Sequence, residues 1–142
     1  MQITSRYPDF CFKVEKGEKT GYPGYEEQHF VIEISVEAGG DQFHIKHADV
    51  YLPNLDQFVA EFDKFILDRS RTPYLAIGYD DSYLRLTGKS LDVTLEYHIS
   101  KEFSCYRYTN SGAFEVDQEY LLQILADLKS LAKILHDGPA DA

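Results

Sequence analysis

The chain has 142 residues with no tryptophan, a single methionine and only two cysteines. Cys11 and Cys105 are too few for a disulfide framework and lack the paired spacing of a zinc site. They read as buried free thiols, with a disulfide between them as the alternative. Long apolar runs are missing too. No stretch approaches the ~20 apolar residues of a membrane-spanning helix, and the N-terminus carries no apolar leader, so a cytoplasmic location is expected. Basic residues are scarce, 14 against 24 acidic ones, for a formal charge of −10. That balance argues against phosphate backbones and anionic membranes as direct ligands. It leaves solvated acidic faces or a basic partner.

Catalytic signatures are equally sparse. No serine sits in a nucleophile elbow, neither cysteine has a recognisable base partner, and no glycine-rich dinucleotide loop follows a strand. Gly17-Glu18-Lys19-Thr20 and Gly88-Lys89-Ser90 suggest phosphate loops, and both fail. The motif needs a glycine five residues before its Gly-Lys pair; Tyr83 stands there in the second, and the first has no such pair. His44, His47 and Asp49 form a local group of metal-ligand types, but on a strand His44 and His47 point to opposite faces, so a metal there would need a bulge. Asp80 and Asp81 read as turn residues. No cofactor or metal is expected, and there is no internal repeat, low-complexity tract or long linker.

What is present fits one domain over residues 1–142, with 1–9 and 137–142 as loose ends. The central stretch is His29 to Leu67. Phe30, Ile32, Ile34 and Val36 alternate with Glu33, Ser35 and Glu37, the period of a strand with one buried face. Glycines at 39 and 40 make a reversal, and Gln42 to Tyr51 returns as the second strand of a hairpin. Pro53 then stops the strand, Asn54 is placed to cap a helix, and Gln57 sits where a capping-box partner would. Leu55, Phe58, Val59, Phe62, Phe65 and Ile66 recur at helical spacing, and the hairpin is the nearest surface to bury them.

Before this stretch, Phe10, Phe12 and Val14 mark a short first strand, and Lys16 to Gln28 reads as an exposed loop. After it, Leu75, Ile77 and Tyr79, a turn at Asp80-Asp81-Ser82, and Tyr83 to Leu86 make a second hairpin. Gly88 breaks the run. Leu91, Val93, Leu95, Tyr97 and Ile99 alternate with Asp92, Thr94, Glu96 and His98, and Lys101-Glu102 is the next turn. Phe103 to Thr109 returns, with either Cys105 and Arg107 inward or Ser104, Tyr106 and Tyr108. Asn110-Ser111-Gly112 signals another turn. Asp117 caps a final helix, Val116 and Leu121 stand at hydrophobic-staple spacing, and Leu121, Ile124, Leu125, Leu128, Leu131, Ala132 and Leu135 carry its apolar stripe to Gly138-Pro139.

Strands, helix, strands, helix, with hairpin-length connections, predicts an α+β fold: an antiparallel sheet of about six or seven strands with two helices packed on one face. The opposite face then falls to Glu33, Glu37, Tyr83, Asp92, Glu96 and His98, with Thr94, Arg85, Tyr106 and Tyr108 near them. Acidic side chains among tyrosines suit a protein-binding face; cross-strand packing is the structural alternative. Glu33 with Glu96, or His98 with Asp92, would be the acid-base pairs of an enzyme. A pocket between sheet and helices would mark a small-molecule-binding domain.

The order and spacing of His29-Phe-Val-Ile-Glu-Ile-Ser-Val-Glu37, its glycine turn, the return into Leu52-Pro53-Asn54-Leu55, Tyr83-Leu-Arg-Leu86, Leu91-Asp-Val-Thr-Leu95 and the C-terminal leucine helix resemble bacterial immunity proteins of the WapI type. The likeness runs from about residue 10 to 135. It implies a cytoplasmic, non-catalytic protein that binds and neutralises a toxin domain. Such toxins are often nucleases, hence basic, and an acidic inhibitor would associate with one quickly.

Overall fold

The computed structural model describes residues 1–5, 9–24, 27–78, 81–89 and 92–136. Among these the class is α+β, with antiparallel pairing throughout, but the strands divide into two four-stranded sheets where one sheet of six or seven was expected. The first sheet holds β1 (Gln2–Ser5), β2 (Asp9–Thr20), β3 (Glu27–Ala38) and β4 (Asp41–Val50) in sequence order. The second holds β5 (Tyr74–Ile77), β6 (Ser82–Lys89), β7 (Asp92–Phe103) and β8 (Tyr106–Val116), again in order. Two helices, α1 (Leu55–Phe65) and α2 (Leu121–His136), follow the respective sheets. The chain forms two compact units: residues 1–51 with 123–142, and residues 52–122.

In the first unit the alternation seen in the sequence sets the faces. Phe10, Phe12, Val14, Phe30, Ile32 and Ile34 are buried, and the β2–β3 register places Phe12 opposite Ile34 and Lys13 opposite Glu33. Two expectations shift here. Gln2–Ser5 is a strand paired with β2, not a loose end, and β2 and β3 continue to Thr20 and from Glu27 across most of the expected loop. Backbone pairing and one register shift between Lys16 and Lys19 absorb the charged residues that read as loop. A second shift lies between Phe30 and Ile32, where β4 carries one extra residue between His47 and Val50.

In the second unit α1 buries Leu55, Phe58, Phe62 and Phe65, worth roughly 6–12 kcal/mol as an upper estimate. Phe58 and Phe62 meet edge-to-face at 5.9 Å, and Phe62 and Phe65 at 6.3 Å. The helix lies in this unit, where it meets β5; the partner expected from the sequence was the earlier hairpin. At its end the Arg69 guanidinium donates to the Phe65 carbonyl at 2.5 Å and the Ile66 carbonyl at 3.0 Å, 4.8 Å from the Phe65 ring centre. These bonds satisfy C-terminal carbonyls that the helix leaves open.

Asn54 does not cap α1 through its side chain. Its amide instead donates to the Tyr74 carbonyl and accepts from the Ala76 N–H, each at 2.8 Å, taking the place a further strand would have beside β5. Two glycines that read as breaks lie inside strands. A Cβ at Gly88 would come within 2.9 Å of the Arg69 side chain, and one at Gly112 within 2.7 Å of the Tyr97 hydroxyl. β8 therefore runs straight through the expected turn at 110–112; the reversal comes at Ser104-Cys105, Ser104 having φ 56. Neither alternative for 103–109 holds: Ser104, Cys105, Tyr106 and Arg107 are exposed and Tyr108 is half-buried. Both cysteines are free thiols, Cys105 exposed and Cys11 half-buried on the outer face of β2, so neither is buried as expected.

Asp117 does cap, but a single 3-10 turn, Gln118–Tyr120, accepting from the Glu119 N–H at 3.0 Å. α2 then buries Leu121, Ile124, Leu125, Leu128, Leu131 and Ala132, while Leu135 is 38% exposed. The expected roles of Tyr79, Asp80, Leu91 and Gly138-Pro139 lie outside the described residues. No helix among the described residues is long and apolar enough to cross a membrane.

Candidate functional site

The outer face of the second sheet is built by register. Inward residues Leu84, Leu86, Val93, Leu95, Tyr97 and Ile99 are buried, which turns Tyr83, Arg85, Thr94, Glu96 and His98 outward. Two cross-strand rows follow. Ala76, Tyr83, His98 and Ser111 form one, and Tyr74, Arg85, Glu96 and Ala113 the next.

Across these rows the rings form a ladder. Tyr74 and Tyr83 stack with centroids 5.1 Å apart, and Tyr83 and His98 stack at 5.6 Å with planes 22° apart. The Arg85 guanidinium lies 5.5 Å from the Tyr83 ring centre and donates to the Glu96 carboxylate. That bond, more than the bare charge attraction, favours the charged form of Arg85 and raises its pKa. Tyr74 is 41% exposed, and the Arg85 and Glu96 side chains 39% and 33%. The ladder is thus open to solvent but held in place by its own contacts.

The six sequence-predicted residues do not share this face. Tyr83, Glu96 and His98 meet there; Asp92 lies at the start of β7 opposite Lys89. Glu33 and Glu37 belong to β3 in the other sheet. Asn54 occupies the edge of β5, so the second sheet starts there. Of the acid-base pairs considered, Glu33 and Glu96 stand in different sheets, and Asp92 and His98 are six positions apart on β7, roughly 20 Å along an extended strand. The face is also less acidic than expected, since Arg85 offsets Glu96. Tyr74 was the ladder member the sequence reading overlooked. Its position before the strand's first buried residue was the available signal.

On the first sheet Glu33 accepts from His44 at 2.8 Å, and this hydrogen bond holds its carboxyl below the usual range. His44 and His47 do point to opposite faces, opposite Ser35 and Ile32, and the extra residue of β4 lies beyond both. An open cleft of about 300 Å³ is lined by Asp9, Cys11, Ser35, Val36, Glu37, Gln42, Phe43 and His44. No group of three or more histidine, cysteine or carboxylate side chains among the described residues could hold a metal ion. No protein-family model, curated protein or solved structure matches the chain.

Proposed function

We propose that the chain is an immunity-type, protein-binding domain that docks a basic toxin domain, such as a nuclease, on the outer face of the second sheet. It neutralises the toxin by occupying its surface, with no reaction step and no cofactor. The cytoplasm is the setting the reading requires. The observation that carries it is the ladder Tyr74–Tyr83–His98 with Arg85 and Glu96: tyrosine and arginine are the residue types that dominate binding energy, and here Tyr74 is exposed and Tyr83 and Arg85 half-buried, all already ordered by their mutual contacts. The formal charge of −10 supplies attraction for a basic partner.

The test is co-expression with basic toxin domains, reading survival, followed by calorimetry on any pair that forms. Tyr83→Ala or Arg85→Ala is expected to weaken binding by about 2 kcal/mol, roughly thirtyfold, with the fold unchanged. Raising salt should slow association. Unchanged affinity in both variants would overturn the placement of the site. The second reading, a small-molecule-binding domain or an enzyme, draws on the cleft at Cys11 and His44, whose volume is at the low end for ligand pockets.

A further inference from the structure

Each sheet ends in an edge strand on either side, and three of these four edges are guarded. β1 and β5 have four residues each, and Asn54 already bonds along β5. β4 carries the exposed Lys46 and an extra residue before Val50 that interrupts its register. Short length, lysine and bulges are the devices that keep a sheet edge from adding another strand. β8 has none of them. It runs for 11 residues with no proline, no lysine and no register shift against β7.

The hairpin fixes which groups this edge offers. Ser104-Cys105 is a two-residue loop closed by the pair Phe103–Tyr106, so that pair and every second one after it bond β8 to β7. The N–H and C=O groups of Arg107, Thr109, Ser111, Ala113 and Glu115 therefore point away from β7. All five residues are exposed, and among the described residues β8 makes no backbone-to-backbone bond beyond those to β7.

We infer that β8 pairs antiparallel with β8 of a second copy of this chain, about a two-fold axis through Ser111. Ser111 is the midpoint of the strand, so this register alone pairs its whole length with itself. The open backbone groups of Ser111 then face their own symmetry mates, and those of Thr109 face Ala113. Arg107 stands opposite Glu115 of the second copy, and Glu115 opposite its Arg107. The only two charges of the strand are thus self-complementary. Arg107 already pairs with Glu102 beside it on β7, and the second copy places it between two carboxylates. Tyr106, 65% exposed, comes opposite Val116. The chain's charge of −10 opposes association, but β8 contributes none of it, and physiological salt screens the rest beyond about 8 Å. The two four-stranded sheets join into one, and the row of Tyr83, His98 and Ser111 continues into its two-fold mate.

The pairing needs only the strand edge and rests on no part of the docking reading, so either can fail alone. Sedimentation velocity of the full chain over a wide concentration range is expected to show a species of two-chain mass, and amide hydrogen exchange at Thr109, Ser111 and Ala113 should slow as it forms. Arg107→Glu sets a carboxylate against Glu115 twice per dimer and should weaken association about tenfold, as should Glu115→Arg. Both changes in one chain restore opposite charges across the axis and should recover the dimer. Position 107 neighbours Glu102 in the single and the double variant alike, so the recovery isolates the pair between copies. Ser111→Pro removes the two central bonds and none to β7, and should leave a folded monomer. A wild-type monomer at every concentration, a dimer indifferent to these changes, or a double variant no tighter than the single ones would overturn the pairing.

Discussion

Asn54 offers the sharpest test of how the second sheet is bounded. Were it an ordinary helix cap, Asp or Ser in its place would preserve most of its contribution, and Ala would cost about 1 kcal/mol. The structure assigns it a different role, donating to Tyr74 O and accepting from the Ala76 N–H at 2.8 Å each. Each bond is worth about 0.5–1.5 kcal/mol net, so Asn54→Ala should cost roughly 1–3 kcal/mol. Asn54→Asp is the informative change. It keeps the acceptor for Ala76 but turns an oxygen toward the Tyr74 carbonyl, so it should destabilise nearly as much as Ala, and Ser, too short to bridge both groups, should do likewise. Urea titration gives the energies, and amide hydrogen exchange at Ala76 gives the location, since that N–H loses its partner in Asn54→Ala but not in Asn54→Asp. If Asp and Ser match the wild type while Ala alone is weakened, capping is the true role and the bridge is refuted.

Gly112→Ala would place a methyl within 2.7–2.9 Å of the Tyr97 ring and hydroxyl, a clash against a buried residue. Overpacking of this kind should cost about 1–3 kcal/mol in urea denaturation, and a neutral result would mean that β8 can shift freely. Glu33 is held below the usual carboxylate pKa chiefly by its hydrogen bond to His44. A lowered folded-state pKa contributes stability above the unfolded value and loses it as the pH falls through the folded value. His44→Ala should therefore return the Glu33 midpoint toward ordinary in an NMR titration, and its stability deficit should shrink in acid. An unmoved midpoint would remove His44 as the cause.

Strand faces were legible because burial on one side imposes a period of two, and β3 and β7 kept it: Phe30, Ile32 and Ile34, then Val93, Leu95, Tyr97 and Ile99, are all buried. Breaks were less legible. Gly88 and Gly112 looked like punctuation, yet each makes room for a side chain distant in sequence, Arg69 or Tyr97. Composition shows that a side chain is missing, not whether the chain turns there or something fills the space.

The pairing of helices with sheets was the least legible feature, and its cause is general. An amphipathic stripe such as Leu55, Phe58, Phe62 and Phe65 states that a face must be covered and says nothing of by what. Nearness in sequence favoured the preceding hairpin. The order of elements is instead two runs of four strands and a helix, each opening with a strand of four residues, and the helix that ends the first run lies in the unit of the second sheet. From Gln123 on, the helix that ends the second run belongs to the unit of the first. Each sheet therefore closes its unit with a helix that it does not precede directly in the chain. Asn54, at the head of α1, takes up the free edge of β5, where the second sheet begins, and Glu33 and Glu37 belong to the first sheet while Glu96 and His98 belong to the second.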